Sequence, residues 1–286
     1  MLAYRHAFHA GNHADVLKHW ILVQVLNHMV EKPKPFTLID THAGAGGYSL
    51  EGRYANQQSE YENGIGKLWR YDKNIPASIL DYLNLIRDFN GGNGSELSQY
   101  PGSPAFSQKL MRNTDPLHVY ELHPTDERIL RSFLADRPNS HIYMQDGFDG
   151  LLRHLPPTSR RGVILIDPSY ELKIDYAKVV KTVRDALLKF PQAVILVWYP
   201  KVQLIEATQL PTRLTRAAEQ APKGWLHATL QVQAADSKGF GMMGSGVFVI
   251  NPPHILQSSL REGLPFLSAV LTQIAKPTWS LDLRSP

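Results

Sequence analysis

Five short apolar runs rich in β-branched residues constrain this chain more than anything else in it: PFTLIDTHAG at 35–44, PLHVYELHP at 116–124, HIYMQDG at 141–147, GVILIDPSY at 162–170 and AVILVWYP at 193–200. Each is bounded by Gly, Pro, Asp or Asn, and each reads as a buried strand. Between most of them lie amphipathic stretches; over 175–190, Tyr176, Val179, Val180, Val183, Leu187 and Leu188 recur at helical spacing on one face. Alternating strand and helix predicts an α/β fold whose sheet is mostly parallel and covered on both faces. Two more strand-like runs, 225–233 and 245–251, joined by the Gly-rich DSKGFGMMG, predict an antiparallel pair at one sheet edge and seven strands in all. The stretch 48–102 breaks the alternation, with Tyr, Asn, Leu and Ile at helical spacing over 60–89. It predicts a small helical insertion within a single domain spanning 1–286.

Composition narrows the classes of function. Lys and Arg number 30 against 26 Asp and Glu, a net charge of +4 that permits an acidic partner without predicting one. With 43% hydrophobic and 20% charged residues the chain can bury a sizeable core, which excludes a disordered protein. No apolar run approaches the roughly 18 residues of a membrane span, and the first residues lack the basic-then-apolar pattern of a signal peptide. A cytoplasmic protein with no membrane partner is expected. The chain has no Cys, which rules out disulfides, thiolate zinc sites and cysteine nucleophiles.

The candidate functional residues stand where strands end, the edge at which open α/β folds bind ligands. The first strand runs into Asp40-Thr41-His42-Ala43-Gly44-Ala45-Gly46-Gly47, a turn whose glycines let backbone approach a ligand closely. As a dinucleotide fingerprint it is defective, because Ser49 stands where the third Gly belongs. Glu121 ends the second strand and suits the two hydroxyls of a ribose; its distance from the Gly turn exceeds the usual spacing of about 20 residues, which an insertion at 48–102 explains. Asp146-Gly147 ends the third strand, where an adenine amine could be held, although Asp-Gly is also a common turn. Asp167-Pro168-Ser169-Tyr170 follows GVILI and joins a carboxylate, a carbonyl and an aromatic ring. An exocyclic amine that gives its two N–H bonds to Asp167 and the Pro168 carbonyl would have its lone pair localised, with Tyr170 stacked on the base. A turn with a core Tyr is the plainer alternative.

These residues resemble a known family. The last motif is similar to the D-P-P-Y signature of S-adenosylmethionine-dependent amino-methyltransferases. YRHAFHAGNHADVLKH, LIDTHAGAGGY, YPGSP, ELHP, DGF and SRRGVILIDPSYE, in that order, resemble the 23S ribosomal RNA adenine-N6 methyltransferase J family across nearly the whole chain. The resemblance implies a Rossmann-like class I methyltransferase that methylates N6 of one adenine in 23S ribosomal RNA, before ribosome assembly is complete, with S-adenosylmethionine as donor and no metal. It implies cofactor contacts at His19, His42, Ser103, Glu121, Asp146 and Gly147, to which the turn adds Gly44. It implies a catalytic acid at Asp167 that also borders the cofactor, with Pro168 and Tyr170 beside it, and substrate-side positions at Tyr4 and Lys18. Ser169 departs from the signature's second Pro and removes one φ restraint from the turn.

Other readings compete. His9 and His13 are four apart, as in helical zinc sites, but no Glu follows His9, and packing and capping are the expected roles of His6, His9 and His13. Arg160, Arg161, Lys173, Lys201, Arg213, Arg216, Lys223 and Lys238 are candidates for phosphate contact. A non-catalytic protein that handles external DNA and a DNA adenine methyltransferase are the alternatives in function.

Overall fold

A computed structural model describes residues 6–51, 60–236 and 241–285. Tyr4 and Lys238 lie outside these described residues. The strands are β1 (Thr37–Asp40), β2 (Gly47–Ser49), β3 (Gln99–Pro101), β4 (Leu117–Tyr120), β5 (Ser140–Tyr143), β6 (Gly162–Ile166), β7 (Val194–Lys201), β8 (Trp225–Gln231), β9 (Gly244–Ile250) and β10 (Thr278–Arg284). The α-helices are α1 (His13–Val30), α2 (Ile65–Trp69), α3 (Ala77–Phe89), α4 (Ser103–Leu110), α5 (Pro124–Phe133), α6 (Gly147–Gly150), α7 (Ile174–Lys189), α8 (Ile205–Ala217) and α9 (Leu256–Leu271).

The main sheet runs β10-β8-β9-β7-β6-β1-β4-β5. Strands β5, β4, β1, β6 and β7 are parallel, while β9 pairs antiparallel with both β7 and β8. Every residue of β1 and β6 is buried, as expected for central strands covered on both sides. All seven anticipated strands are present, but the sheet has eight among the described residues. The additional strand, β10, pairs antiparallel with β8 along Thr278–Arg284 and is largely exposed. Its mixed polar sequence carries no burial pattern; its partner makes it a strand.

Two layers of helix cover the sheet. On one face Val16, Leu17, Leu22 and Leu26 of α1 and Leu260, Leu264 and Leu267 of α9 pack into one core cluster. On the other, Val179 and Val183 of α7 and Leu210 and Leu214 of α8 pack into a second. Helix α1 is buried over nearly its whole circumference, which explains its weak amphipathic pattern. It starts where the Asn12 side chain accepts from the amides of Ala14 and Asp15, both at 3.0 Å, with Asp15 favourably placed in the first turn. It ends before Pro33 and Pro35, which cannot continue it.

Residues 47–49 and 99–101 pair antiparallel, with Tyr48 opposite Tyr100, so the segment leaves and rejoins the sheet domain at one neck. Beyond the neck, α3 buries Ile79, Tyr82, Leu83 and Ile86 in the α1–α9 core, and Trp20 and Gln24 of α1 donate to Ser78. Among the described residues no helix is long and apolar enough to cross a membrane.

Candidate active site

A cleft of about 210 Å³ opens at the carboxyl ends of β1, β4 and β6 and beside the start of α6. The turn after β1 bends through Gly44 at φ +62°, a left-handed backbone that favours glycine. The Gly44 amide donates to Glu121 Oε2 at 2.9 Å, and the His123 amide donates to Oε1 at 2.7 Å. These bonds aim the Glu121 carboxylate and still leave lone pairs on both oxygens. Burial pushes Glu121 above the ordinary carboxylate range, and the two amides work the other way. Gly147 is needed for space, since a Cβ there would stand 2.1 Å from the Thr41 carbonyl oxygen. Asp146 caps α6 by accepting from the Phe148 amide at 2.9 Å, and Lys178 donates to its other oxygen at 3.2 Å. The His42 ring meets the Phe148 ring edge-on with centroids 4.8 Å apart, and burial lowers its pKa to about 4, so it is neutral.

The other end of the cleft holds a chain of charges. Lys18, on α1, donates to Asp167 Oδ2 at 2.5 Å and lies 2.8 Å from Asp15 Oδ1. Asp15 Oδ2 lies 2.8 Å from His6 Nε2 and accepts from the Gly11 amide at 2.9 Å. Burial pushes the Asp167 carboxyl up, and Lys18 beside it opposes that shift. Burial also works against the Lys18 charge, but Asp15 and Asp167 outweigh it and hold the ammonium above its usual range. Asp15 is buried as well, yet His6 and Lys18 beside it keep it ionised well below the ordinary carboxylate range. Under the Gly turn, Ser103 Oγ donates to Asp40 Oδ2 at 2.6 Å, and burial raises the Asp40 pKa to about 6 despite that bond.

His19 sits between the two ends. Its Nδ1 is 2.8 Å from the Tyr100 hydroxyl, which is 2.9 Å from the Tyr82 hydroxyl. Both tyrosines are fully buried, and Tyr82 finds its partner in Tyr100. The ring and the two hydroxyls form one hydrogen-bonded chain, whose direction sets the His19 tautomer. Burial, reinforced by Lys18, pushes His19 well below its ordinary pKa and keeps it neutral.

The cleft thus brings together Lys18, His19, His42, Gly44, Ser103, Glu121, Asp146, Gly147, Asp167 and Pro168. Tyr170 is not among the lining residues, contrary to its expected place against a base. It is buried at φ +54°, with its ring 4.6 Å from that of Tyr176 and its hydroxyl donating to the Trp198 carbonyl at 2.7 Å. A left-handed backbone in a bulky residue is strained and persists only where its surroundings hold it; Tyr170 closes the turn that aims Asp167. Ser169 is exposed and lines the cleft. His6, expected only to pack or cap, lines the cleft, whereas His9 bonds Glu60 at 3.0 Å and His13 is buried with its Nδ1 unpartnered. Arg161 turns inward onto the carbonyls of Met29 and Lys34, and Lys173 lies 3.7 Å from Glu206. Asp15, Asp40 and Lys178 were missed. Asp15 and Lys18 are three apart, a spacing that in sequence reads as an ordinary helix-surface pair, and only burial makes it part of a site. Among the described residues no group of three or more His, Asp or Glu is disposed to hold a metal.

Five parallel strands continued by antiparallel β9, β8 and β10, with acidic residues following β4, β5 and β6 around one cleft, make a Rossmann-like α/β fold of the kind class I methyltransferases use. The sequence model of the family described as ribosomal RNA large subunit methyltransferase D, RlmJ, matches residues 33–284, and the chain belongs to that family. The ribosomal RNA large subunit methyltransferase J of Escherichia coli K12 is 40% identical over 274 residues, covering 95% of this chain and 94% of that one. The protein of the same name from Haemophilus influenzae is 38% identical, with all of both chains covered. The crystal structure of protein LPL1258 from Legionella pneumophila matches with a TM-score of 0.86 at 32% identity, covering 96% of this chain and 98% of that one.

Proposed function

We propose that this protein transfers a methyl group from S-adenosylmethionine to the N6 amine of one adenine in 23S ribosomal RNA. The observation that carries the reading is Asp167, a half-buried carboxylate at the end of β6 with one oxygen held by Lys18, facing the cleft that Glu121 and Asp146 also line. Kinship with large-subunit rRNA methyltransferases supports the substrate class.

The cleft's chemistry fits the donor. Six carboxylates line it against two lysines, a balance suited to a ligand that carries both a sulfonium and an ammonium charge. Glu121 has free lone pairs for two ribose hydroxyls, Asp146 and Gly147 stand where the adenine would lie, and Phe148 and His42 offer ring surface beside them. The His19 ring, with Ser103 and Gly44 bordering it, suits the polar amino-acid end of the donor. When bound, S-adenosylmethionine supplies an electrophilic methyl group.

Asp167 and the Pro168 carbonyl accept the two N–H bonds of the adenine amine and free its lone pair for attack in line with the methyl. As the N–C bond formed, the methyl–sulfur bond of the donor would break to leave S-adenosylhomocysteine, and one N–H proton would pass to Asp167. Lys18 keeps Asp167 ionised in spite of burial, so that it can accept. Tyr4 belongs, on this reading, against the target base, which must leave its helix or come from a loop. The reaction is assigned to the cytoplasm and to RNA not yet closed into a complete ribosome, and residues 1–286 act as one methyltransferase domain with 48–102 as its helical subdomain.

Labelled S-adenosylmethionine offered with unmodified 23S rRNA, duplex DNA and protein extract tests the reading. N6-methyladenosine should appear in the rRNA alone. Asp167→Asn should lower turnover by about 10²–10³-fold while S-adenosylhomocysteine binds within about threefold of the unaltered affinity; unchanged turnover would remove Asp167 from the chemistry.

A further inference from the structure

A second cavity, of about 560 Å³, lies at the amino ends of β1, β4 and β6, across the sheet from the active site. Its charged lining side chains among the described residues are Lys34 and Arg153, both cations and both exposed, joined by the imidazoles of His118 and His154 and the hydroxyls of Thr114 and Ser159. The loop that carries Lys34 is fixed from beneath. Arg112 donates to the carbonyls of Lys32 and Lys34 at 2.8 and 3.2 Å, and Arg161 donates to the Lys34 carbonyl as well.

A ladder of flat rings borders this cavity. His118 stacks on His154 with centroids 3.9 Å apart and on His141 at 4.8 Å, and Tyr120 stacks on Tyr143 at 4.8 Å. His118 with His141, and Tyr120 with Tyr143, are register partners across β4 and β5. Because β5 ends the sheet, both stacks stop there, with His141 exposed and Tyr143 half-buried. Burial lowers the His118 pKa to about 3, so its ring is a neutral plane at the heart of the ladder. The ladder also reaches the active site: the Tyr120 hydroxyl is 2.7 Å from His154, Arg153 donates to Gln145 at 3.2 Å, and Tyr120 and Gln145 both line the catalytic cleft.

An acidic cleft repels a polyanion, so an RNA substrate must be gripped by cations elsewhere. Phosphates are held by Lys and Arg, and unpaired bases by planar side chains. We propose that this surface is a second RNA-binding site, taking a backbone phosphate of the substrate strand at Lys34 and Arg153 and an unpaired base of that strand on the open rings of His141 and Tyr143. The proposal rests on the rRNA reading above and adds to it a contact surface outside the reacting centre.

The test is fluorescence anisotropy of the full chain with a labelled single-stranded 23S rRNA fragment containing the target adenine, across a salt series. Lys34→Ala/Arg153→Ala should bind about tenfold more weakly at low salt, with the salt slope reduced by about 0.7 for one lost phosphate contact. His141→Ala should weaken binding about fivefold and leave the slope intact, because stacking releases no counterions. All three side chains are exposed, so thermal unfolding should be unaltered, and Lys34→Ala alone, at the far end of the strands from the cleft, should leave S-adenosylhomocysteine affinity unmoved. RNA binding that these variants leave unchanged in affinity and slope would overturn the proposal alone. Failure of the unaltered chain to bind the RNA would overturn both the proposal and the rRNA reading.

Discussion

On the proposed mechanism, Asp167 acts only while it carries a charge that its burial disfavours. Burial pushes its carboxyl up and Lys18 pulls it down, so turnover should fall as pH falls through a pKa above the ordinary carboxylate range. In Lys18→Met the opposing charge is gone and the acid limb of kcat should move to higher pH, with turnover at neutral pH down about tenfold. A pH–rate profile reads both, and a limb that stays in place would separate Lys18 from the proton step. Tyr100 acts one bond further out. Tyr100→Phe removes the hydroxyl that is hydrogen-bonded to His19 Nδ1 and should let the ring exchange tautomers, visible in its ¹⁵N spectrum. S-adenosylhomocysteine should then bind about fivefold more weakly, the worth of roughly one hydrogen bond. The acids at strand ends were legible in sequence because apolar runs point straight at them. Asp15 was not, since its meaning depends on the carboxylate that Lys18 meets from another part of the chain.

Single elements carry more than one task. Helix α1 is both the centre of one core and the source of Lys18 and His19, so its polar residues lie within a segment whose bulk is buried. The short α6 begins at a glycine pressed against the turn after β1, 2.1 Å from a carbonyl once a Cβ is added. Gly147→Ala should therefore cost about 2 kcal/mol of stability, as overpacking against backbone does, and weaken S-adenosylhomocysteine about tenfold by displacing Thr41 and the turn that holds Glu121. Thermal unfolding and calorimetry check the two effects, and a variant of native stability and affinity would show the contact to be relieved elsewhere. The strands of the parallel half were readable because they are continuous and apolar. The three-residue pair β2–β3 and the exposed β10 were not, because pairing with a distant partner, rather than their own composition, makes them strands.

Across the whole molecule, charge is sorted rather than spread. The chain is basic by +4, yet its active cleft collects six carboxylates and two lysines. Composition reports only the sum, and so it could neither predict the acidic site nor locate the cations that offset it. The fold class followed from alternation alone, whereas the grouping of residues from α1, β1, β4 and β6 around one cleft required the three-dimensional chain. One pair in that group carries a consequence for the protein's life before folding is complete. Lys18 and Asp167 stand 149 residues apart, on opposite sides of the helical segment and of four strands of the sheet. A nascent or truncated chain that has not yet docked β6 beside β1 owns an ammonium with no base to serve. The pair that sets the charge of the cleft is therefore a property of the assembled sheet and of no local stretch of chain.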